Sequence, residues 1–151
     1  MVVKIATTDD IEEIATLLEV LFMLEKEFEP DKNKQINALK TIINNQNIGH
    51  ILVLKNEGEI VATLSLLYTV STALGTKVAI LEDMIVSPKY RRKGFGTLLL
   101  KSALKFAQEN GCTRVTLLTD SSNIKAQQFY KKIGFKKSNM IPFRFIQKAQ
   151  L

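Results

Sequence analysis

The sequence carries a single cysteine, Cys112, and a single histidine, His50. One thiol excludes an internal disulfide and fits a reducing compartment. One histidine and one cysteine fall short of the ligand set of a zinc site, so no metal is expected. Only three prolines break 151 residues, and no segment is low in complexity or reads as a linker. A single domain over residues 1–151 is therefore expected, long enough for a core. No apolar run approaches the ~20 residues of a membrane span, so no membrane partner is expected. The first residues, MVVKIATTDD, lack the basic and apolar regions of a signal peptide, and a cytoplasmic location is expected. Tryptophan is absent, and most of the eight phenylalanines sit in apolar patterns rather than among basic residues. A nucleic-acid surface interleaves exposed aromatics with cations along a face, so no nucleic-acid partner is expected.

The charge that is present is uneven. The chain has a net charge of +6, which points to an anionic partner without saying which. Lys89, Arg91, Arg92 and Lys93 crowd one short turn. Acids gather elsewhere, at Glu25, Glu27, Glu29 and Asp31, either as a solvated helix end or as an attractor of a cationic amine.

Periodicity sets the elements. Val2 to Ala6 is a strand, and Thr7 or Thr8 caps a helix whose stripe is Ile11, Ile14, Ala15, Leu18, Leu21 and Phe22. A second helix covers about 31–45. Ile51 to Leu54 and Ile60 to Tyr68 form a hairpin around Asn56-Glu57-Gly58-Glu59, and Lys77 to Val86 continues the antiparallel run. A helix from Gly94 to Asn110 ends at Gly111, and Thr113 to Thr119 is a buried strand. A helix capped by Ser121 or Ser122 runs to Ile133 and stops at Gly134. Strands at Phe135 and at Phe143 to Ile146 close the chain. The order β, α, α, β, β, β, α, β, α, β, β implies a mixed α/β fold, one sheet with helices on both faces.

Two stretches carry chemistry. In Arg91-x-x-Gly94-x-Gly96, glycines stand where side chains would keep a ligand from the backbone. Amides of such a turn, at the N-terminus of a helix, suit phosphate oxygens. The rival reading is an ordinary basic loop. Downstream, Asn123, Gln127 and Tyr130 share one helix face, a donor surface ending in a phenol. The rival reading there is simple packing of Phe129, Tyr130 and Ile133.

Together, Pro88-x-Tyr90-Arg91-x-x-Gly94-x-Gly96 and Asn123-x-x-Ala126-x-x-Phe129-Tyr130-x-x-x-Gly134-Phe135 resemble the GCN5-related N-acetyltransferase (GNAT) superfamily. The resemblance covers about residues 80–135. It implies acetyl-CoA as acetyl donor and transfer to a primary amine in a ternary complex. The amine belongs to a small molecule or to a protein or peptide. It implies that amides of Arg92, Lys93, Gly94, Phe95, Gly96 and Thr97 hold the pyrophosphate, with Arg91 at the motif's Arg/Gln position. Pantetheine would pair with backbone at Met84, Ile85 and Val86, and the Ile85 N–H would serve the oxyanion. Asn123 would bond the pantetheine arm, and Tyr130 would protonate the leaving thiolate. Lys89, Lys125 and Lys131 are candidates for the 3′-phosphate. For the base, Glu82 is favoured over Asp83, with Asp120 third. A β-bulge near Met84 would change which acid reaches the cleft. A homodimer paired through the C-terminal strands fits the same reading. A non-catalytic acyl-CoA sensor of the same fold is the alternative.

Overall fold

The computed structural model describes residues 1–25 and 27–148. The chain divides into two compact units, residues 1–118 and 119–151.

The first unit holds one five-stranded sheet in sequence order. β1 (Val2–Ile5), β2 (Gly49–Asn56), β3 (Glu59–Ser71) and β4 (Thr76–Val86) are antiparallel neighbours. β5 (Val115–Leu117) pairs parallel to β4. The hairpin between β2 and β3 turns on Glu57 (φ 51°) and Gly58 (φ 85°). Two left-handed residues in succession match the twist of the strands they join.

The helices α1 (Ile11–Leu24) and α2 (Lys32–Ile43) pack on one face of the sheet. Ile14, Ala15 and Leu18 of α1 and Leu39 of α2 meet Ile51, Val53, Ile60 and Ile85 there. Strand alternation turns Leu52 and Leu54 to the other face, against Leu99, Leu100, Ala103 and Ala107 of α3 (Phe95–Glu109). The expected helix stripes are thus the core.

Polar anchors fix α1 to the sheet. Thr7 and Asp10 form a reciprocal cap ahead of the helix. Asp10, almost wholly buried, also accepts from the Lys55 ammonium at 2.5 Å. The Glu13 carboxylate accepts from the Ile60 N–H at 2.7 Å. α3 ends as its glycine requires. Gly111 is left-handed (φ 84°), its N–H donates to Gln108 O, and the Cys112 N–H donates to Ala107 O.

The second unit, over its described residues, contains one helix, α4 (Ile124–Ile133), with Asn123 as N-cap. Gly134 (φ 120°) and Phe135 close it by the same pair of bonds that ends α3. The two C-terminal strands expected at Phe135 and at Phe143 to Ile146 do not form among the described residues. The side chains that would have made their inner faces are exposed instead, Phe143 and Phe145 at 90%. Alternation alone does not make a strand without a neighbour to bond its backbone. His50 is buried; its Nδ1 lies 2.6 Å from the Tyr68 hydroxyl and its ring meets Phe106 edge-on.

Candidate active site

β4 and the turn after it carry most of the residues expected to act. β5 pairs with β4 only as far as Leu81, opposite Leu117. Among the described residues no strand pairs with that edge of β4 from Glu82 to Val86, although one of its acceptors, Val86 O, is taken by a side chain of the following turn.

The strand is also broken in phase at that place. Glu82 faces Ser65 and Ile85 faces Thr63, so Asp83 and Met84 together oppose Leu64. This is the bulge anticipated near Met84. Asp83 takes φ 55°, a left-handed conformation that aspartate tolerates better than most residues. The bulge puts the two neighbouring acids in different settings. Glu82 is exposed, whereas Asp83 is half-buried. Burial, with the nearby charges of Glu82 and Glu25, pushes the Asp83 carboxyl up to about 6. Glu25, at the C-cap of α1, is itself raised by burial and by the charges of Glu27 and Glu82. Among the described residues none of Glu25, Glu82 and Asp83 has an ion-pair partner within 4.0 Å. Glu25 was not singled out as a site residue; the run of acids from Glu25 to Asp31 was its only sequence signal.

The ladder also corrects one assignment. The Ser87 N–H donates to Val61 O at 2.8 Å, which fixes the phase of the β3–β4 pairing. Ile85 sits two residues earlier in the same phase, so its N–H is directed at Thr63 and is not open. The amide of Val86 points to the unpartnered edge instead, and Met84 lies in the bulge.

The turn that follows is braced by its own side chains. The Tyr90 hydroxyl donates to Glu59 at 2.7 Å and its ring stacks on Phe95. Lys89 pairs with the same carboxylate at 2.7 Å. Arg91 Nε donates back to Val86 O at 3.1 Å, which makes it a brace of the loop. Arg92 (φ 61°) and Gly94 (φ 78°) are both left-handed, and a Cβ at Gly94 would meet no atom within 4 Å. Alternating left-handed residues turn successive N–H groups to one side. No side chain caps α3, so the first-turn amides from Phe95 to Thr97 have no capping partner.

In the second unit Asn123, rather than Ser121 or Ser122, is the N-cap of α4, and Tyr130 stands within the helix. The Asn123 carbonyl accepts from Ala126 N–H at 3.1 Å, which leaves its NH2 as the end able to donate outward. Tyr130 is half-buried between Phe129 and Phe135, and burial raises its phenol. Asp120 accepts from the Ser122 N–H and hydroxyl, forming the turn before α4.

Residues 11–135 match the acetyltransferase (GNAT) family. The chain belongs to that family.

Among curated relatives, an uncharacterized N-acetyltransferase, YhfO, of Bacillus subtilis is 35% identical over 85 residues, 56% of this chain and 57% of its own. Streptothricin acetyltransferase A of Bacillus subtilis is 44% identical over 57 residues, 38% of this chain and 33% of its own. Glucosamine 6-phosphate N-acetyltransferase of Trypanosoma brucei brucei is 38% identical over 80 residues, 52% of each. The chain thus spans about half or less of the length of these relatives. A solved transcriptional regulator from Bacillus halodurans superposes with a TM-score of 0.83 at 28% identity, over 95% of this chain and 99% of its own. A possible acetyltransferase from Clostridium difficile superposes at 0.84 with 20% identity, over 97% and 98%, and carries the fold alone. This GNAT chain is a mixed α/β protein, and acetyl-CoA is the acetyl donor its family uses. Its turn fits such a donor: uncapped amides, two left-handed residues and nearby cations suit a pyrophosphate, and an open β4 edge suits an amide-bearing arm. Among the described residues no cluster of three or more His, Cys, Asp and Glu could hold a metal, and no helix is long and apolar enough to cross a membrane.

Proposed function

We propose that the protein transfers an acetyl group from acetyl-CoA to a primary amine. Donor and acceptor would be bound together, in a reducing, cytoplasmic setting, with both units acting as one acetyltransferase domain. One observation carries this reading: among the described residues β4 loses its neighbour at Glu82, bulges at Asp83, and runs into a turn whose helix-start amides have no side-chain cap. An extended pantetheine would bond the open edge at Met84 and Val86. The turn from Arg92 to Thr97 would hold the pyrophosphate, with Lys125 and Lys131 left for the 3′-phosphate.

The chemistry follows from charge. Asp83, with its carboxyl near 6, is mostly ionised at neutral pH yet basic enough to accept a proton. It is the better base than exposed Glu82 because burial and neighbouring charge raise its basicity. The amine nitrogen attacks the thioester carbon and a C–N bond forms as the proton passes to Asp83. Negative charge on the carbonyl oxygen is held by an outward amide of the β4 edge. The C–S bond then breaks, and Tyr130 gives its proton to the thiolate. Glu25 and Glu82 would draw a cationic acceptor towards Asp83, and the amine attacks once its extra proton has passed to solvent. Several relatives are named for amine substrates of this kind, among them streptothricin and thialysine.

The test is release of free thiol from acetyl-CoA across a panel of amines, beside calorimetric titration with acetyl-CoA. Saturable binding and amine-dependent thiol release are expected. Binding without release by any amine would make the protein an acyl-CoA sensor. No binding would overturn the reading of the turn.

A further inference from the structure

We propose that Glu59, at the start of β3, is a positioning residue for the pyrophosphate end of acetyl-CoA. It acts through Tyr90, which holds the turn from Arg92 to Thr97 in its binding shape. This role rests on the acetyl-CoA reading of that turn. The shape needs support from elsewhere. Arg92 is left-handed (φ 61°) without being glycine, a conformation that an ordinary side chain disfavours and that surrounding contacts must maintain. The bond from Arg91 Nε to Val86 O stays within the same stretch of chain. Lys89 and Tyr90 reach out of it, and both end on Glu59.

Glu59 is the fixed end of this contact. It follows Glu57 and Gly58 directly and pairs with Asn56 across the hairpin, so the ladder sets its backbone. Its Oε2 accepts from the Tyr90 hydroxyl at 2.7 Å, and its Oε1 meets the Lys89 ammonium at 2.7 Å. With an oxygen given to each partner, the carboxylate is held in one orientation. From there the Tyr90 ring touches two residues of the turn. It stacks on Phe95 with 5.9 Å between centroids, and Lys93 Nζ lies 5.3 Å from its centroid. Phe95 is the first residue of α3, where no side chain caps the amides. Lys93 and Phe95 flank Gly94, so a displaced ring would shift amides on both sides of that glycine.

Charge alone predicts the opposite effect, which separates the two roles. Glu59 is a negative group bonded to a turn that is read as holding a polyanion. If it acted only by its charge, removing it would free the Lys89 ammonium and tighten acetyl-CoA. A clamp predicts weaker binding.

The test is calorimetric titration of the full chain with acetyl-CoA, beside urea unfolding of each variant to confirm that it is folded. The wild type comes first, and absence of binding there overturns the reading of the turn and this proposal with it. Where the wild type binds, Glu59→Ala should weaken acetyl-CoA by roughly 10-fold, about the worth of a hydrogen bond to a charged group. Tyr90→Phe keeps the ring and loses the hydroxyl, and it should weaken binding by a similar factor. The double variant should lose no more than either single one, because both break the same contact. Glu59→Gln keeps an oxygen that can accept from Tyr90 and should recover most of the affinity, which a general loss of stability would not explain. Unchanged or tighter binding by Glu59→Ala overturns the proposal and leaves the acetyl-CoA reading standing. So does an additive double variant, or a Glu59→Gln protein as weak as Glu59→Ala. Should Glu59→Ala fail to fold, Tyr90→Phe carries the test, and an unchanged affinity there overturns the proposal.

Discussion

Replacing Asp83 by asparagine should make the protein more stable and nearly inactive. Asparagine keeps the size of the side chain and tolerates the left-handed φ of 55°, so the bulge survives. What changes is the charge. An aspartate near 3.8 in the unfolded chain sits at about 6 in the fold, because the ionised form is desolvated and faces Glu82 and Glu25. A raised carboxyl means that the fold holds the proton more tightly than the unfolded chain does. The penalty is absent below about pH 4, grows through the window from 4 to 6, and is complete above it. Some two units correspond to about 3 kcal/mol. Urea unfolding at pH 8 should therefore find the variant more stable by about that amount, with the gap closing near pH 4. Steady-state kinetics on the same protein should show kcat/KM lower by 10²–10⁴, about the worth of a general base. The wild-type rise of kcat/KM through about pH 6 should vanish. An equal urea midpoint for both proteins at pH 8 would refute the burial argument. An unchanged rate would leave the burial argument standing and remove Asp83 from the chemistry.

Three further perturbations probe separate parts. Tyr130→Phe should slow turnover by roughly 10–100-fold while calorimetry finds the same affinity for acetyl-CoA, since only the proton donor is lost; an unchanged rate removes the phenol from the mechanism. Gly96→Glu should abolish acetyl-CoA binding by placing a carboxylate where the proposed pyrophosphate site lies, and normal affinity would dismiss the turn as that site. Lys55→Met should cost on the order of 3 kcal/mol in urea unfolding, because Asp10 is then buried with only Thr7 to bond it. A loss below about 0.5 kcal/mol would mean that Asp10 simply takes up a proton or reaches solvent.

Much of the fold was legible because its signals are local. Gly111 and Gly134 stop α3 and α4 where a left-handed residue is required, and Glu57-Gly58 marks the hairpin. The stripes of α1 and α3 predict their buried faces. The two glycine-bearing motifs are legible for the same reason, since each is a short run of residues at fixed spacing within the stretch that matches the family. The illegible parts depend on partners distant in sequence. Whether Phe143 to Ile146 makes a strand depends on a neighbouring edge, which periodicity cannot supply. The burial of His50 depends on Tyr68 and Phe106, both distant in sequence. The direction of the Ile85 amide depends on the register against Thr63, and register does not appear in a run of apolar letters.

The preference between Glu82 and Asp83 shows the same limit at the site. Sequence parity says that adjacent strand residues face opposite ways and offers no reason to choose between them. The bulge gives the two acids different surroundings, at a cost in stability. It holds a non-glycine residue left-handed and half-buries its carboxyl beside two other acids. Elsewhere in the first unit local preference and packing agree: the core faces are apolar and the buried Asp10 is bonded. A fold consistent at nearly every other position can carry one residue that is costly in both backbone and charge. For that reason Asp83, rather than the glycines of the turn, is the position at which the acetyl-transfer reading is most open to refutation.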